Sequence, residues 1–323
     1  MASTTTTTGP RAVPQARPVA DVLPAKEKRR LPFWLRAMLR NPMSVTGLII
    51  LLGFAVVAIL APVLAPPPPG STDPYMIPRS GFSAAPKPPS AEHPWGTSPG
   101  QYDIYYGVIW GTRTAFKVGL IITGLTVLIG GLIGAVSGFI GGLFDEIVQR
   151  LVEIVMAFPF LLAAITLATV LAPKIQDRLL SAAIALVAFS WPGYSRLLRG
   201  DVLAIKDREY VMAAKTLGAS NWRILMRHVI PNSMFTLLVV ASLDIGTYVL
   251  SFAALSFLNL GPPQGYADWG QLLSFARNWI SSLSEYWYIV VYPGVALILF
   301  VLGWNLIGDA FRDALDPKMR GQG

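Results

Sequence analysis

The sequence contains no cysteine and two histidines, His93 and His228. Without cysteine the chain has no disulfide, thiol nucleophile or thiolate metal ligand, and two histidines are too few for a histidine-rich metal site. The long apolar runs also lack paired carboxylates, which a buried acid–base pair would need. The sequence therefore predicts no catalytic residues, no metal site and no enzymatic activity in this chain.

Charged residues are scarce as well. They make up 14% of the chain, against about 25% in soluble domains, while 53% of the residues are hydrophobic and the mean hydropathy is +0.53. Runs of about 20 apolar residues can cross a hydrocarbon core of about 30 Å as helices. Six such runs predict an all-α polytopic membrane protein with six transmembrane helices, at residues 45–64, 118–144, 154–172, 179–195, 234–257 and 286–308. A signal peptide is the alternative for the first run, but that run begins more than 40 residues into the chain and is too long for a signal-peptide core.

Basic residues indicate the orientation of the six runs, because cytoplasmic loops of membrane proteins hold the excess of Lys and Arg. Of the 26 basic residues, 19 lie before the first run, at Arg150, between residues 196 and 227, or after the sixth run. We therefore expect both termini to be cytoplasmic. This asymmetry accounts for most of the net charge of +8, so the charge does not indicate a nucleic-acid partner.

Composition divides the chain into regions. Residues 1–42 are rich in Thr, Pro and Ala and predict a disordered basic arm, in which "PFWLRAMLR" forms either a short interfacial helix or a plain membrane flank. Pro and Gly are dense between the first two runs, which excludes a long helix and leaves a packed lobe or a disordered loop as alternatives. The other boundaries are transmembrane helix 1 at 43–66, an external segment at 67–113, a transmembrane core at 114–312 with a cytoplasmic loop at 199–231 and an external segment at 259–285, and a cytoplasmic tail at 313–323.

Glycine and proline mark special positions within the runs. Four glycines recur at every fourth residue of the second run and predict a helix face on which another backbone packs closely, a hinge being the alternative. They are Gly130, Gly134, Gly138 and Gly142. Pro159 should kink the third run, since proline removes a helix hydrogen bond. Pro192 and Gly193 should bend the chain at the end of the fourth run.

Polar residues near or inside the runs are candidates for a transport pathway. Asp244 is the ionisable residue that cannot be placed in a loop, and the cost of a carboxylate at bilayer depth implies that it faces the bundle interior or water. A role in the pathway and a structural hydrogen bond to a neighbouring helix are both open. Gln149, Tyr248 and Asn259 are the other candidates, and a surface or re-entrant helix is expected at 269–280.

The stretch "REYVMAAKTLGASNWRILMRHVIPN", residues 208–232, combines charges and helical periodicity between two apolar runs. Gly218 suits a left-handed helix end, and Ser220 or Asn221 suits the cap of a second helix. The pattern predicts a helix-turn-helix presented on the cytoplasmic side, or an amphipathic connection that only lies on the membrane. The positions that share one face of the first helix are Tyr210, Ala213 or Ala214, and Leu217.

This stretch resembles the cytoplasmic "EAA" loop of ABC-importer permeases, in which two alanines, a glycine and a later hydrophobic–proline pair recur. The matching residues are Ala213, Ala214, Gly218, Ile230 and Pro231. Met212 stands where the motif has glutamate, and His228 stands where the general motif has isoleucine. The "REYV" before the alanines and the "RH" before a hydrophobic-hydrophobic-Pro-Asn run are typical of the peptide-importer branch.

Further blocks resemble the dipeptide/oligopeptide permease family, specifically its second, C-type subunit, over nearly everything after residue 35. They are "HPWGT" at 93–97, "AFPFLLAAI" at 157–165, "WPGYSRLLRGDVLAIKDREYV" at 191–211, "LSFLNLG" at 255–261 and "GWNLIGDAFRDALDPK" at 303–318. One departure follows "HPWGT". There "SPGQYD" replaces an acidic-Leu-Gly-Arg-Asp run and keeps only Asp103.

The resemblance implies a fold like that of a type I ABC importer permease in the plasma (inner) membrane of a bacterium or archaeon. The chain has no G-x-x-x-x-G-K-[ST] phosphate loop, so ATP and Mg²⁺ would be bound by partner subunits. The implied partners are a second homologous permease, two ABC ATPase subunits and an extracytoplasmic solute-binding protein, besides membrane lipid. A coupling helix would dock in a groove of the ATPase through Glu209, Tyr210, Ala213, Ala214, Leu217 and Gly218.

A self-contained ion-coupled carrier is the alternative transport mechanism. It would need inverted repeats and several intramembrane charges, whereas the sequence offers Asp244 and no such repeat. Peptides are the solute that the resemblance implies first. Nickel chelates, glutathione and oligosaccharides are alternatives, because similar permeases are associated with them.

Overall fold

The structure, a computed structural model, describes residues 41–315. The expected basic arm with its interfacial helix, and most of the C-terminal tail, therefore lie outside the described residues. The described part is mostly helical. Its helices are α1 Pro42–Leu64, α2 Ile104–Ile140, α3 Gly142–Met156, α4 Phe160–Leu171, α5 Arg178–Lys206, α6 Glu209–Thr216, α7 Asn221–Ile224, α8 Ile230–Phe257, α9 Trp269–Ala276, α10 Leu283–Tyr286 and α11 Tyr288–Leu315. A π-helical turn, Leu225–Val229, precedes α8, a 3₁₀ helix, Arg277–Ser282, follows α9, and two short strands, β1 Thr97–Ser98 and β2 Tyr102–Asp103, pair antiparallel.

Several helices are long and apolar enough to cross a membrane. Within the described residues, four meet this condition alone: Pro42–Leu64, Ile104–Ile140, Thr236–Phe257 and Tyr288–Asp313. The pair α3 and α4 forms a fifth candidate span, although the two helices meet at 86°. The fourth predicted run lies in α5, which is less apolar because Arg178 and Arg196 flank that run. A polytopic helical membrane protein is therefore confirmed.

Helix α2 is longer than the sequence predicted and starts earlier. Asp103 caps its first turn, since the carboxylate accepts a 2.8 Å hydrogen bond from the backbone N–H of Tyr106. The helix therefore begins 14 residues before the predicted apolar run at 118–144. The helix ends at Ile140 because the next residue, Gly141, adopts a φ of +70°.

The two proline predictions have different outcomes. The third run bends sharply at Pro159 as predicted, by 86°, but the bend is a break between two separate helices and not a kink within one. Pro192 lies inside α5, which continues unbroken to Lys206. Helix α2 packs along this part of α5, with Gly130 against the carbonyl of Trp191, and this contact supports the helix on both sides of the proline.

The Pro/Gly-rich residues after α1 form an ordered lobe rather than a loose loop. We define the hairpin lobe as residues 65–103 together with 258–286. Its two parts are joined by an antiparallel bridge between Met76 and Tyr266. The lobe is also fixed to α2: Trp110 Nε1 donates to the carbonyl of Ala65 at 2.8 Å, and Trp269 Nε1 donates to that of Val108 at 3.1 Å.

Two large apolar clusters hold most of the described helices together. One surrounds Phe300, which packs edge-on against Phe54 and Trp269 with ring centroids 5.4 and 5.6 Å apart, and it supports the hairpin lobe. The other contains Ile122 of α2 and Leu186 of α5 and extends to α6, α7 and α8. The second cluster therefore joins the membrane helices to the segment between α5 and α8.

Candidate functional site

The segment between α5 and α8, residues 207–229, is a defined structure that we call the connector. Its first helix, α6, ends in a Schellman motif: Ala219 N–H bonds to the Ala214 carbonyl at 3.1 Å and Gly218 N–H to the Lys215 carbonyl at 3.0 Å. This motif needs a left-handed residue, and Gly218 supplies it with a φ of +79°. Ser220 then caps α7 by accepting from the backbone N–H of Arg223. The expected helix-turn-helix is present.

One face of the connector is buried against the membrane helices. Val211 is fully packed, and Ala214 and Ala219 are half-buried in the same cluster as Ile224 and Leu225. Ala214 therefore contributes to the packed side of α6 and remains partly exposed. This packing fixes the orientation of α6 relative to α5 and α7.

The opposite face of the connector exposes apolar side chains. Leu217 is 88% exposed, Trp222 66% and Tyr210 42%. Glu209, Ala213 and Gly218 lie on the exposed side as well. Single exposed apolar residues are ordinary on proteins, but several on one short rigid element are typical of a docking site.

A groove of about 680 Å³ runs beside this face. Its walls come from the end of α2, from the start of the connector and from α7. The lining residues are Val136, Phe139, Ile140, Lys206, Asp207, Val211, Met212, Lys215, Asn221, Trp222, Ile224 and Leu225. The groove thus opens next to the exposed apolar side chains.

Three of the four predicted packing glycines bring α2 against α5. A Cβ atom added to Gly134 would overlap the backbone carbonyl of Ser195, and one added to Gly138 would lie 3.1 Å from the carbonyl oxygen of Arg199. Gly130 meets the carbonyl of Trp191 in the same way. Gly142 does not join this face, because α2 has already ended and no atom lies within 4 Å of its added Cβ.

A buried ion pair joins α3 to α5. Arg199 donates from Nε and Nη2 to the two carboxylate oxygens of Asp145, at 2.7 and 2.6 Å, and Asp145 is buried. Such two-point pairs are geometrically specific. Lys206 adds a 3.3 Å bond from Nζ to the carbonyl of Gly138. The end of α2, the start of α3 and the last turns of α5 therefore form one unit at the connector.

Asp244 lies in a groove between helices. Tyr194 Oη of α5 donates a 2.7 Å hydrogen bond to Asp244 Oδ2 of α8. The groove measures about 490 Å³ and lies at the break between α3 and α4, with Pro159 and Phe160 on one wall and Tyr248 on another. Asp244 thus forms the structural hydrogen bond to a neighbouring helix and also lines a cavity, and its role in the pathway stays a prediction.

The four pathway candidates fall at three different places. Asp244 and Tyr248 share the groove just described. Gln149 lines a small polar cavity beside the Asp145–Arg199 pair. Asn259 follows the end of α8, adopts a φ of +61° and lines a pocket of the hairpin lobe. They do not form one continuous site in this chain.

Three residues of the site were not predicted from the sequence: Tyr194, Asp145 and Arg199. Tyr194 lies in the block "WPGYSRLL", where a phenol inside an apolar run was a usable signal for a hydrogen-bond partner of Asp244. Asp145 and Arg199 each stand near the end of an apolar run, and opposite charges at such ends are candidates for pairing. Their 54-residue separation left the pairing itself undetermined.

Comparison with known families gives two matches. Residues 130–321 match the family described as the binding-protein-dependent transport system inner membrane component. Residues 33–89 match the N-terminal transmembrane domain of oligopeptide transport permease C. The first match covers more than half of the chain and includes the connector and the Asp244 groove.

Individual relatives align over nearly their whole length. A dipeptide transport system permease protein of Alkalihalophilus pseudofirmus is 36% identical over 95% of both chains. An oligopeptide transport system permease protein of Bacillus subtilis is 37% identical over 91% of this chain and 92% of its own. A glutathione transport system permease protein of Escherichia coli is 34% identical over 90% of each.

Proposed function

This chain belongs to the family of binding-protein-dependent transport system inner membrane components, and we propose that it couples ATP hydrolysis in a partner to peptide import through the connector. The resemblance of its sequence blocks to peptide permeases is confirmed for the family. The chain is a multi-pass inner-membrane permease subunit of an ABC transport system. The observation that carries the proposal is the rigid connector with its exposed apolar face.

The connector has the two properties that a coupling element requires. Its inner face is packed through Val211 and Ile224, so a force on α6 reaches the membrane helices instead of bending a loop. Its outer face exposes Leu217 and Trp222. Burial of these side chains against a partner would remove apolar surface from contact with water, which favours association. Glu209, Tyr210, Ala213 and Gly218 complete the proposed docking surface, and Ala214 supports it from behind.

The path from the connector to the groove is continuous along the chain. The connector follows α5 directly and continues into α8 through the π-helical turn. Those two helices carry Tyr194 and Asp244, the hydrogen-bonded pair in the groove. A displacement of the connector would therefore move both groups. We propose that this movement alternates the access of the groove between the two sides of the membrane, with Asp244 and Tyr248 in the pathway.

The remaining features of the assembly follow from the family and the charge distribution. We propose six membrane spans, with α5 as the fourth and the α3–α4 pair as the third, and both termini in the cytoplasm. The partners are a second homologous permease, two ABC ATPase subunits that bind ATP and Mg²⁺, and an extracytoplasmic solute-binding protein. Di- and oligopeptides are the proposed solutes, since relatives named for them align over most of this chain.

The test is the composition and energy source of the purified system. The tagged chain, extracted in mild detergent, should bring down a second multi-span permease and one or two ATPases, identified by mass spectrometry. After reconstitution with the binding protein, labelled di- and tripeptides should accumulate in vesicles only with hydrolysable ATP. Recovery of the chain alone, with uptake driven by an ion gradient, would contradict the proposal. ATP-driven uptake of glutathione in place of peptides would change the solute and keep the mechanism.

A further inference from the structure

The hairpin lobe contains a pocket that the coupling mechanism does not use. It measures about 500 Å³, within the range of about 300–1,000 Å³ that is typical of ligand pockets. Residues on its walls come from both parts of the lobe, including Arg79 and Tyr102 from the first and Asn259, Phe275 and Arg277 from the second. The pocket is distant from Asp244, because the residues of α8 beyond Asp244 alone span about 20 Å.

The pocket is positively charged. Arg79 and Arg277 line it, and no acidic residue does. Neither arginine forms an ion pair within residues 41–315. Two unpaired guanidinium groups on one concave surface attract an anion, and the planar guanidinium fork fits a carboxylate through two parallel hydrogen bonds.

Arg79 is held in place by the lobe itself. Its Nε donates to the carbonyl of Gly100 at 3.0 Å, and its guanidinium lies over the ring of Tyr102, 4.4 Å from the centroid. Tyr102 in turn stacks on Phe275 at 4.8 Å with the ring planes nearly parallel. The two Nη groups of Arg79 have no partner in the described part of the chain, so they are available to a ligand.

Two glycines allow this arrangement. Gly265, with a φ of +89°, lies so close to Tyr102 that an added Cβ would be 2.7 Å from its ring. Gly100, with a φ of +80°, would bring a Cβ within 3.2 Å of Arg79 Nη2. The ring and the guanidinium are therefore set in fixed positions before any ligand arrives, which reduces the entropic cost of binding.

The walls offer two further kinds of contact. The amides of Asn259, Gln264 and Asn278 can donate to and accept from a peptide group. The rings of Phe275 and Trp279 provide an apolar surface for a side chain. A carboxylate, a peptide group and an apolar side chain occur together at the C-terminal end of a peptide.

We propose that this pocket binds the C-terminal residue of a peptide, with Arg79 and Arg277 receiving its carboxylate. The inference rests on the proposed function, because it places the pocket on the side from which the peptide arrives. The pocket would be a first contact site, separate from the groove around Asp244, and it would favour peptides with a free C-terminus. An acidic side chain of the binding protein also carries a carboxylate. It lacks the neighbouring peptide group and apolar side chain of a C-terminal residue, which the amides and aromatic rings of the pocket would contact.

The test is direct binding to the full chain in lipid nanodiscs. The probes are N-acetyl-alanyl-phenylalanine and its C-terminal amide, measured by isothermal titration calorimetry. The acid should bind at least about tenfold more tightly than the amide, since the charge-assisted bonds are lost with the amide. Arg79→Gln and Arg277→Gln should each weaken binding of the acid by about tenfold, and Arg79→Lys by less.

Lys87→Gln is the matched control, because it removes one positive charge from an exposed position of the same lobe outside the pocket. It should leave the affinity unchanged, and thermal unfolding should show that all variants remain folded. Equal binding of acid and amide, or wild-type affinity in both arginine variants, would overturn the proposal. The proposal would also be overturned if the arginine variants weakened only the binding of the solute-binding protein to this chain and left the affinity for the acid unchanged. None of these results affects ATP-driven uptake, which tests the proposed function separately.

Discussion

The glycine face of α2 makes a graded prediction about stability. In Gly134→Ala the new methyl group would overlap the backbone carbonyl of Ser195, and a backbone atom cannot rotate away. Helices α2 and α5 would have to separate, at a cost typical of overpacking, about 1–3 kcal/mol. The better helix propensity of alanine offsets about 1 kcal/mol at most. We expect a net loss of about 1 kcal/mol in the free energy of unfolding, and of no more than about 2 kcal/mol where the helix-propensity gain is fully realised.

The same helix supplies the controls. Gly124 has no atom within 4 Å of an added Cβ, so Gly124→Ala should leave stability unchanged or raise it by up to about 1 kcal/mol. Gly138→Ala should fall between the two, since the nearest atom is 3.1 Å away. Unfolding by SDS in mixed micelles, followed by far-UV circular dichroism, measures all three variants. Equal stability of Gly134→Ala and Gly124→Ala would refute the close approach of α2 to α5.

Three further predictions concern the connector, the ion pair and the hairpin lobe. Gly218→Val forces a β-branched residue to a φ of +79° and should uncouple transport, so that ATP hydrolysis continues while solute uptake falls. Gly200→Ala, at a helical position with no atom near the added methyl group, should transport normally. Wild-type uptake by Gly218→Val would count against the proposed docking surface. Asp145→Asn should lower the free energy of unfolding by about 2 kcal/mol, because Arg199 is left half-buried without its charged partner. Arg150→Gln, in the exposed pair with Glu153, should have no measurable effect. Similar losses in the two variants would argue against a special role of the Asp145–Arg199 pair. Burial raises the pKa of Asp268 to about 6, above its ordinary value of 3.8, so the stability that protonated Asp268 contributes is complete below pH 4 and is lost as the pH rises through 6, on the order of 3 kcal/mol in all. Asp268→Asn keeps an acceptor for the backbone N–H of Gln271 and should remove this pH dependence of the free energy of unfolding. An unchanged pH profile in the variant would show that Asp268 is not its source.

Local chemistry made parts of the fold predictable from the sequence. The connector is an example, since Gly218 and Ser220 have the residue types that a left-handed helix end and an N-cap require. The positions of the apolar runs were also predictable, because a bilayer requires a minimum helix length. The glycine spacing indicated close packing at Gly130, Gly134 and Gly138, but it did not identify α5 as the partner helix.

Features that depend on contacts between distant residues were not predictable. The start of α2 is set by the Asp103 cap and by its packing on the hairpin lobe, as in the bond from Thr114 Oγ1 to the carbonyl of Ala267, 153 residues away. The same reason applies to the lobe itself, which the Pro/Gly-rich composition left between packed and disordered. The packing of Ala214 on the second apolar cluster depends on residues elsewhere in the chain, which a single helix face does not reveal.

Site-specific crosslinking tests the coupling role of the connector most directly. Because the chain contains no cysteine, an introduced cysteine is the only thiol of this chain that can be labelled. Leu217→Cys and Phe82→Cys place one thiol each at residues that are both 88% exposed, the first on the connector and the second on the hairpin lobe. Each thiol is labelled with a maleimide that carries a photoreactive group, and the products formed in native membranes are identified by mass spectrometry. The account predicts that position 217 captures the ATPase subunit and that position 82 does not. Capture of the ATPase from position 82, or none from position 217 in an active transporter, would contradict it.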